Sequence, residues 1–332
     1  MIKFPSIDQF RQIIREVKTN HDYQGKSEDG SPIYQHNSPY PAIEFTGTVK
    51  LHGTNASIVK YKDGRIEYQS RERVLDLQHD NAGFMLAMMN KDLSSIFESY
   101  RCDNHIAVYG EWCGQGIQKG IAISSLPKMF VIFAVNVDGE WSIFDHINFT
   151  YLNDQKIYSI LQFPTYKLSI DFNNPESSQN KLIEITEQVE QQCPVGKYFN
   201  VEGIGEGVVW KTKYNDYFYQ FKVKGEKHSI SKVKTLASVD VEMISSINEF
   251  VDNVLTEQRL EQGITWLKEN QKEVNQKSTG DYLRWVVNDV IKEETDTIVE
   301  NQLDPKKINS AISAKARVWF FGYLDREVFQ EK

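Results

Sequence analysis

The feature that most constrains this chain is a change of hydrophobic period near residue 235. From Ala42 to about Lys224 the apolar residues form short runs rich in Val, Ile, Tyr and Phe, broken by turn pairs. Beyond Thr235 they recur at helical spacing. Alternation suits strands and a period of about 3.6 suits helices. The pattern therefore predicts an α+β protein: a mainly antiparallel-sheet domain over residues 1–235, then a small all-helical domain over 236–332.

Within the first part, Asp63-Gly64 is suited to close a hairpin between Ala56–Tyr61 and Arg65–Ser70. Asp138-Gly139 is suited to close another between Phe130–Val137 and Trp141–Phe144. Ahead of them, Ser6 can cap a helix carrying Phe10, Ile13, Ile14 and Val17, and Asp22–Pro41 reads as loop. In the second part, Ile244, Ile247, Val251 and Val254 share one helical face, and Leu283, Val286, Val287, Val290 and Ile291 share another. Asp304-Pro305 then supplies an N-cap and a first-turn proline for a helix through Ile308, Ile312 and Trp319.

With 332 residues, one large and one smaller core can form without disulfides or a structural metal. Cys102, Cys113 and Cys193 are odd in number and form no Cys-x-x-Cys pair, so they suggest neither a disulfide framework nor a zinc site. The start Met1-Ile2-Lys3-Phe4-Pro5-Ser6 has no apolar targeting core, and no run approaches a membrane span. The expectation is a cytoplasmic protein with no membrane partner, and no protein partner is implied.

A net charge of −8 argues against general nucleic-acid binding by a positive coat. The distribution matters more. Residues 235–332 hold 18 acidic and 12 basic residues, whereas Lys211–Lys234 holds seven lysines against Asp216 and Glu226. A local anion site is compatible with an acidic whole.

The run Val49-Lys50-Leu51-His52-Gly53-Thr54-Asn55 is a strand ending in a polar, glycine-containing turn before another apolar strand. A lysine there projects from a fixed strand end, near backbone amides able to receive phosphate oxygens. Taken alone it is an ordinary solvated charge. Nearby Lys62-Asp63-Gly64 lacks the intervening residue and is only a turn. Gly203-Ile204-Gly205 precedes a strand rather than a helix, so it is no dinucleotide loop.

Order and spacing carry more. Lys50-Leu51-His52-Gly53-Thr54-Asn55 resembles nucleotidyltransferase motif I of the RNA ligase 2 family, the phage-type ATP-dependent ligases that seal RNA nicks. Ser70-Arg71-Glu72-Arg73 resembles motif Ia, and Val108-Tyr109-Gly110-Glu111-Trp112 with Gly116-Ile117-Gln118-Lys119 resembles motif III. Phe130-Val131-Ile132-Phe133 is similar to motif IIIa, with Ala134 where relatives often place Asp. Glu206-Gly207-Val208-Val209-Trp210-Lys211 is similar to motif IV, and Phe221-Lys222-Val223-Lys224 to motif V.

The resemblance implies a nucleotidyltransferase domain with the ATP-grasp-like ligase core and a helical tail. It implies that Lys50 carries AMP, with His52, Lys222 and Lys224 catalytic beside it. Asn55, Arg71, Glu111, Phe133 and Glu206 would bind the nucleotide, Glu111 at the ribose and Phe133 stacked on adenine. Glu206 would place Mg²⁺ or Mn²⁺ near the triphosphate of ATP. Lys222 and Lys224 alternate with Phe221 and Val223, so both project from one strand face toward phosphate. A neutral nucleophilic lysine requires a depressed pKa, and Lys222, Lys224 and metal would supply the like charge.

The implied reaction is RNA end joining. Lys50 takes AMP from ATP, passes it to a 5′-phosphate to give AppRNA, and a 3′-hydroxyl displaces AMP at a nick in duplex RNA. His52, in place of the Asp of DNA ligases, inclines the reading to RNA. The alternatives are a DNA ligase, a capping guanylyltransferase, or a non-catalytic nucleotide- or RNA-binding protein on the same fold. Against the first two stands the helical tail, since those families append an OB-fold. Against the third stand six intact motifs.

Overall fold

In the computed structural model, which describes residues 1–142, 150–225 and 247–330, the first long element is helix α1 (Phe10–Asp22). It buries the expected stripe of Phe10, Ile13, Ile14 and Val17. The cap differs from expectation. Gln9, not Ser6, is the N-cap, and its N–H donates to Gln12 Oε1 at 2.8 Å. The reason is that Asp8–Gln9 (β1) pairs in parallel with Phe221–Lys222, which postpones the helix. The segment expected as loop also folds further. Tyr23–Lys26 (β2) and Pro32–Tyr34 (β3) form a two-stranded hairpin, whose Ser- and Gly-rich tip is closed by Ser27 and Ser31.

The remaining strands are β4 (Ala42–Lys50), β5 (Thr54–Tyr61), β6 (Ile66–Ser70), β7 (His105–Cys113), β8 (Met129–Val137), β9 (Glu140–Ser142), β10 (Ile157–Ser159), β11 (Thr165–Asp171), β12 (Gly207–Tyr214) and β13 (Tyr217–Lys224). One sheet has the order β1-β13-β12-β4-β11; another has β10-β8-β7-β5-β6, with β9 on β8. Among the described residues only the β1–β13 and β10–β8 pairs are parallel, so the expected mainly antiparallel architecture holds.

Both predicted hairpins form. Asp138 and Gly139 each have positive φ, as a tight two-residue turn requires, and Asp138 Oδ1 accepts N–H bonds from Asn104 and His105, both at 2.8 Å. The end of the second predicted hairpin, at Phe144, lies outside the described residues.

Helices α2 (Phe84–Met89) and α3 (Ser94–Glu98) lay Phe84, Met88, Ile96 and Phe97 on Ile58, Val108, Phe130 and Ile132 of the second sheet. Helix α4 (Gln179–Gln191) buries Leu182, Ile185 and Val189, and the short α5 (Pro194–Tyr198) follows it. The sheet reading of this region did not anticipate them.

The second compact unit contains α6 (Ile247–Val254), α7 (Glu257–Glu269), α8 (Thr279–Glu300) and α9 (Pro305–Gln330). Its core joins Val251, Val254, Leu283, Val286, Val290, Ile308 and Ile312, with Val287, Ile291 and Trp319 partly buried against it. Asp304 caps α9, its Oδ1 accepting the Lys306 N–H at 2.9 Å. Helix α7 was not expected. It buries Leu260, Ile264 and Leu267 beside an equally buried Arg259, which pairs with Asp289 at 3.2 Å and Glu293 at 2.8 Å. The units are Met1–Lys227 and His228–Lys332; residue 235, the expected boundary, and Ile244 lie outside the described residues. Among the described residues no helix is long and apolar enough to cross a membrane.

Candidate active site

Strand register assembles the site. Gly207, the first residue of β12, stands opposite Lys50 at the end of β4 and opposite Lys224 at the end of β13. Antiparallel pairing therefore brings two strand C-termini and one N-terminus into a single row. Only glycine fits its centre: φ is +151°, and a Cβ would lie 2.1 Å from the Val223 carbonyl oxygen. The preceding residue, Glu206, thus enters between two lysines.

The Glu206 side chain is 2% exposed. Its Oε2 lies 2.8 Å from Lys50 Nζ and 3.3 Å from His52 Nδ1, and its Oε1 lies 2.9 Å from Lys224 Nζ. Burial works against the carboxylate charge, but Lys224, Lys50 and His52 together hold it well below the usual carboxylate range. For Lys50 the balance is different. Burial pushes the ammonium pKa down, Glu206 and Glu111 pull it up, Lys224 pushes it down, and the net direction is down. Burial is thus the larger cause, and the cation that assists it is Lys224. The expectation that Lys222 shares this task narrows accordingly. Lys222 is half-buried on β13, opposite Val209.

His52 and Gly53 lie where the chain crosses from β4 to β5. The Gly53 N–H donates to Glu111 Oε1 at 2.9 Å. A Cβ at Gly53 would meet the Trp112 carbonyl oxygen at 2.4 Å, so the turn lies flat on the end of β7. Glu111 is the cross-strand partner of Asn55. The crossing therefore brings Lys50, His52, Asn55 and Glu111 to one end of the two sheets. Phe133 on β8 is half-buried, edge-on to Phe4 at 5.0 Å between centroids. Arg71 remains exposed just beyond β6, 3.9 Å from Glu72, and the Glu206 network does not include it.

Lys211 received no role from its sequence, although it closes the motif IV match. It is 4% exposed, its Nζ donates to the Phe133 carbonyl at 3.3 Å, and it lies 4.8 Å from the Phe133 ring centroid and 5.7 Å from that of Phe4. Burial pushes its pKa down to about 7. A signal was available: a lysine inside Val208-Val209-Trp210-Lys211, on a strand paired on both edges, has little access to water.

The arrangement offers an amine whose charge is disfavoured, a carboxylate anchored between cations, and further lysines on one strand. Such a set suits attack on a phosphorus centre and neutralisation of the charge there. One carboxylate gives oxygen donors that fit a hard divalent cation, which would need phosphate and water oxygens to complete its shell.

Residues 43–234, more than half of the chain and including every residue of this network, match the sequence model of RNA ligases. The chain belongs to the RNA ligase family. Among solved structures it is similar to an RNA ligase of Naegleria gruberi. The match to that ligase with PPi has 19% identity and a TM-score of 0.44, covering 68% of this chain and 57% of that one. A lysine-to-methionine mutant with AMP and Mn matches at 18% identity and TM-score 0.45, covering 68% and 57%. A lysine-to-alanine mutant with ATP and Mn matches at 18% and 0.43, covering 69% and 57%. The chain thus spans 57% of the length of the ligase it matches. No curated protein matches it.

Proposed function

We propose that this chain is an ATP-dependent RNA ligase of the RNA ligase 2 kind. It would join RNA 3′-hydroxyl and 5′-phosphate ends at nicks in duplex RNA, through a lysyl-AMP on Lys50 and an AppRNA intermediate. The observation that carries the reading is the contact of Lys50, His52 and Lys224 with one buried carboxylate, Glu206. Three free cysteines are in keeping with action in the cytoplasm. The adenylyltransferase domain is residues 1–235 and the helical domain 236–332.

In the first step the neutral Lys50 amine attacks the α-phosphorus of ATP. A P–N bond forms, the P–O bond to pyrophosphate breaks, and the proton lost by the amine goes to the departing pyrophosphate or to water. Glu206, strongly ionised, orients the amine rather than storing that proton. Glu206 would be the residue that holds Mg²⁺ or Mn²⁺, which when bound would supply positive charge near the phosphates of ATP. Lys222 and Lys224 neutralise charge on the transferring group. Glu111, Asn55, Arg71 and Phe133 bind the nucleoside and its phosphates.

In the second step an oxygen of the RNA 5′-phosphate attacks the same phosphorus, the P–N bond breaks, and Lys50 regains its proton. In the third, a 3′-hydroxyl attacks the 5′-phosphate and AMP leaves. The test is incubation with labelled ATP and Mg²⁺, followed by addition of matched nicked duplexes carrying RNA or DNA strands. A covalent adduct on Lys50 that survives denaturation and alkali but is released by acid, as a P–N bond requires, and that is discharged by the RNA nick, is expected. Absence of any adduct would overturn the ligase reading; preferential discharge by DNA would overturn the choice of RNA.

A further inference from the structure

Outside the Lys50 network, the C-terminus of α1 and the segment after β3 bring together His21, Asp22 and His36. His21 Nδ1 lies 3.1 Å and His36 Nδ1 3.0 Å from the same oxygen, Asp22 Oδ1. The three donor atoms lie within 4.8 Å of one another. Asp22's other oxygen is occupied separately, accepting the Tyr40 hydroxyl at 3.1 Å. Tyr40 is held in turn by the His36 ring at 4.5 Å and by the Lys18 ammonium, 5.0 Å from its centroid. The second nitrogen of His21 lies 3.2 Å from Ser38 Oγ.

We propose that His21, Asp22 and His36 bind a divalent transition-metal ion of the zinc type. Two nitrogens aimed at one carboxylate oxygen require positive charge between them, supplied by two protons or by one cation. The spacing accommodates a cation as well as two protons. Bonds of about 2.0–2.1 Å in a tetrahedral shell separate neighbouring donors by roughly 3.3 Å, a few tenths more than the hydrogen-bond lengths of 3.0 and 3.1 Å seen here.

The surroundings have the form that orients metal ligands. Tyr40 fixes the carboxylate so that one oxygen stays available, and Ser38 takes the far nitrogen of His21, leaving Nδ1 to bind. Imidazole nitrogen selects Zn²⁺, Co²⁺ or Ni²⁺ over Mg²⁺, which prefers an all-oxygen shell. With His36 half exposed, water completes the coordination. Occupancy would clip the β2–β3 hairpin to α1, and the ion is a different class from the one Glu206 suits.

The experiment is titration of the full-length, chelator-treated protein with Co²⁺ followed by its visible absorption, and with Zn²⁺ by calorimetry, in excess Mg²⁺. Parent protein is expected to bind one equivalent more than either His36→Ala or Asp22→Asn, with adenylylation in Mg²⁺ unchanged in both variants. Because the variants could lose structure, Zn²⁺ is also followed by imidazole NMR of the unaltered protein, where two of the seven histidines should shift. Equal stoichiometry in parent and variants, displacement by Mg²⁺, or shifts confined to other histidines would overturn the site.

Discussion

Lys50 and Glu206 meet at 2.8 Å because the register of β4 and β12 sets Lys50 opposite Gly207, one residue beyond the carboxylate. Glu206 raises the Lys50 pKa and Lys224 lowers it. Since only the neutral amine attacks, the two neighbours should move the pH dependence in opposite senses. Glu206→Gln removes an anion, so the rising limb of the adenylylation rate should move to lower pH. Lys224→Met removes a cation, so that limb should move to higher pH. Both should lower the plateau, by roughly 10²-fold or more for a lost electrostatic contact to the reacting group. Single-turnover rates against pH at saturating ATP and metal provide the check, and shifts of the same sign would refute the assignment.

Lys50→Ala should abolish the labelled adduct while leaving the fold intact. Lys50 is the last residue of its strand, and Glu206 keeps Lys224 and His52 as partners when the amine is removed. Sealing of RNA supplied already adenylylated should survive in part, since that step needs no enzyme-bound AMP. Gel assays of both reactions on one preparation separate the outcomes. An undiminished adduct would place the nucleophile elsewhere.

Lys211 permits a prediction about stability. Burial lowers its pKa to about 7 from the ordinary lysine value of 10.5. Between those values the unfolded chain binds more protons than the folded one, so this group makes stability rise with pH there. The contribution is complete above the unfolded value and is lost as pH falls through the folded one. Lys211→Met, which removes the burden, should therefore stabilise the protein by a few kcal/mol at pH 6, on the order of the linkage for a shift of this size. The gain should shrink toward pH 10. Urea denaturation of both proteins across that range tests it, and a gain independent of pH would show that the amine is not the cause.

What could be read beforehand depended on how local each signal is. The alternation of Phe221, Lys222, Val223 and Lys224 is a property of one strand, and Phe221 and Val223 are indeed buried while the lysines are less so. The period change near residue 235 is equally local, and the helices of the second unit follow from it. The ion pairs of Glu206 depend on the register of β4 against the β12–β13 hairpin, with 156 positions between Lys50 and Glu206, which no local pattern specifies. The β2–β3 hairpin was hidden because its turn residues dominate a short segment. Helix α7 was hidden because Arg259 interrupts an apolar face and is balanced by Asp289, Glu293 and Glu294, far along the chain. Lys211 was passed over because lysine on a strand reads as solvated until both neighbouring strands are known.

The last prediction separates Glu206 from Lys222. On the proposed assignment Glu206→Ala would remove one oxygen donor from the metal and leave water and the triphosphate to hold it, so higher metal concentration, or Mn²⁺ in place of Mg²⁺, should restore part of the adenylylation rate. It also leaves Lys50 and Lys224 without their shared anion. Removing one partner of a buried ion pair costs about 3–5 kcal/mol, and these lysines, being partly exposed, should bring the loss to roughly 1–3 kcal/mol. Rescue must therefore be measured at a temperature where the variant is folded. Lys222→Ala has no soluble substitute, because a free cation cannot take the position of an ammonium fixed to β13. Its plateau should stay low at every metal concentration. The measurement is adenylylation rate against Mg²⁺ and Mn²⁺ for both variants. A metal-shifted curve for Glu206→Ala beside a uniformly depressed one for Lys222→Ala is expected, and matching curves would mean that the metal ligand or the phosphate contact lies on another residue.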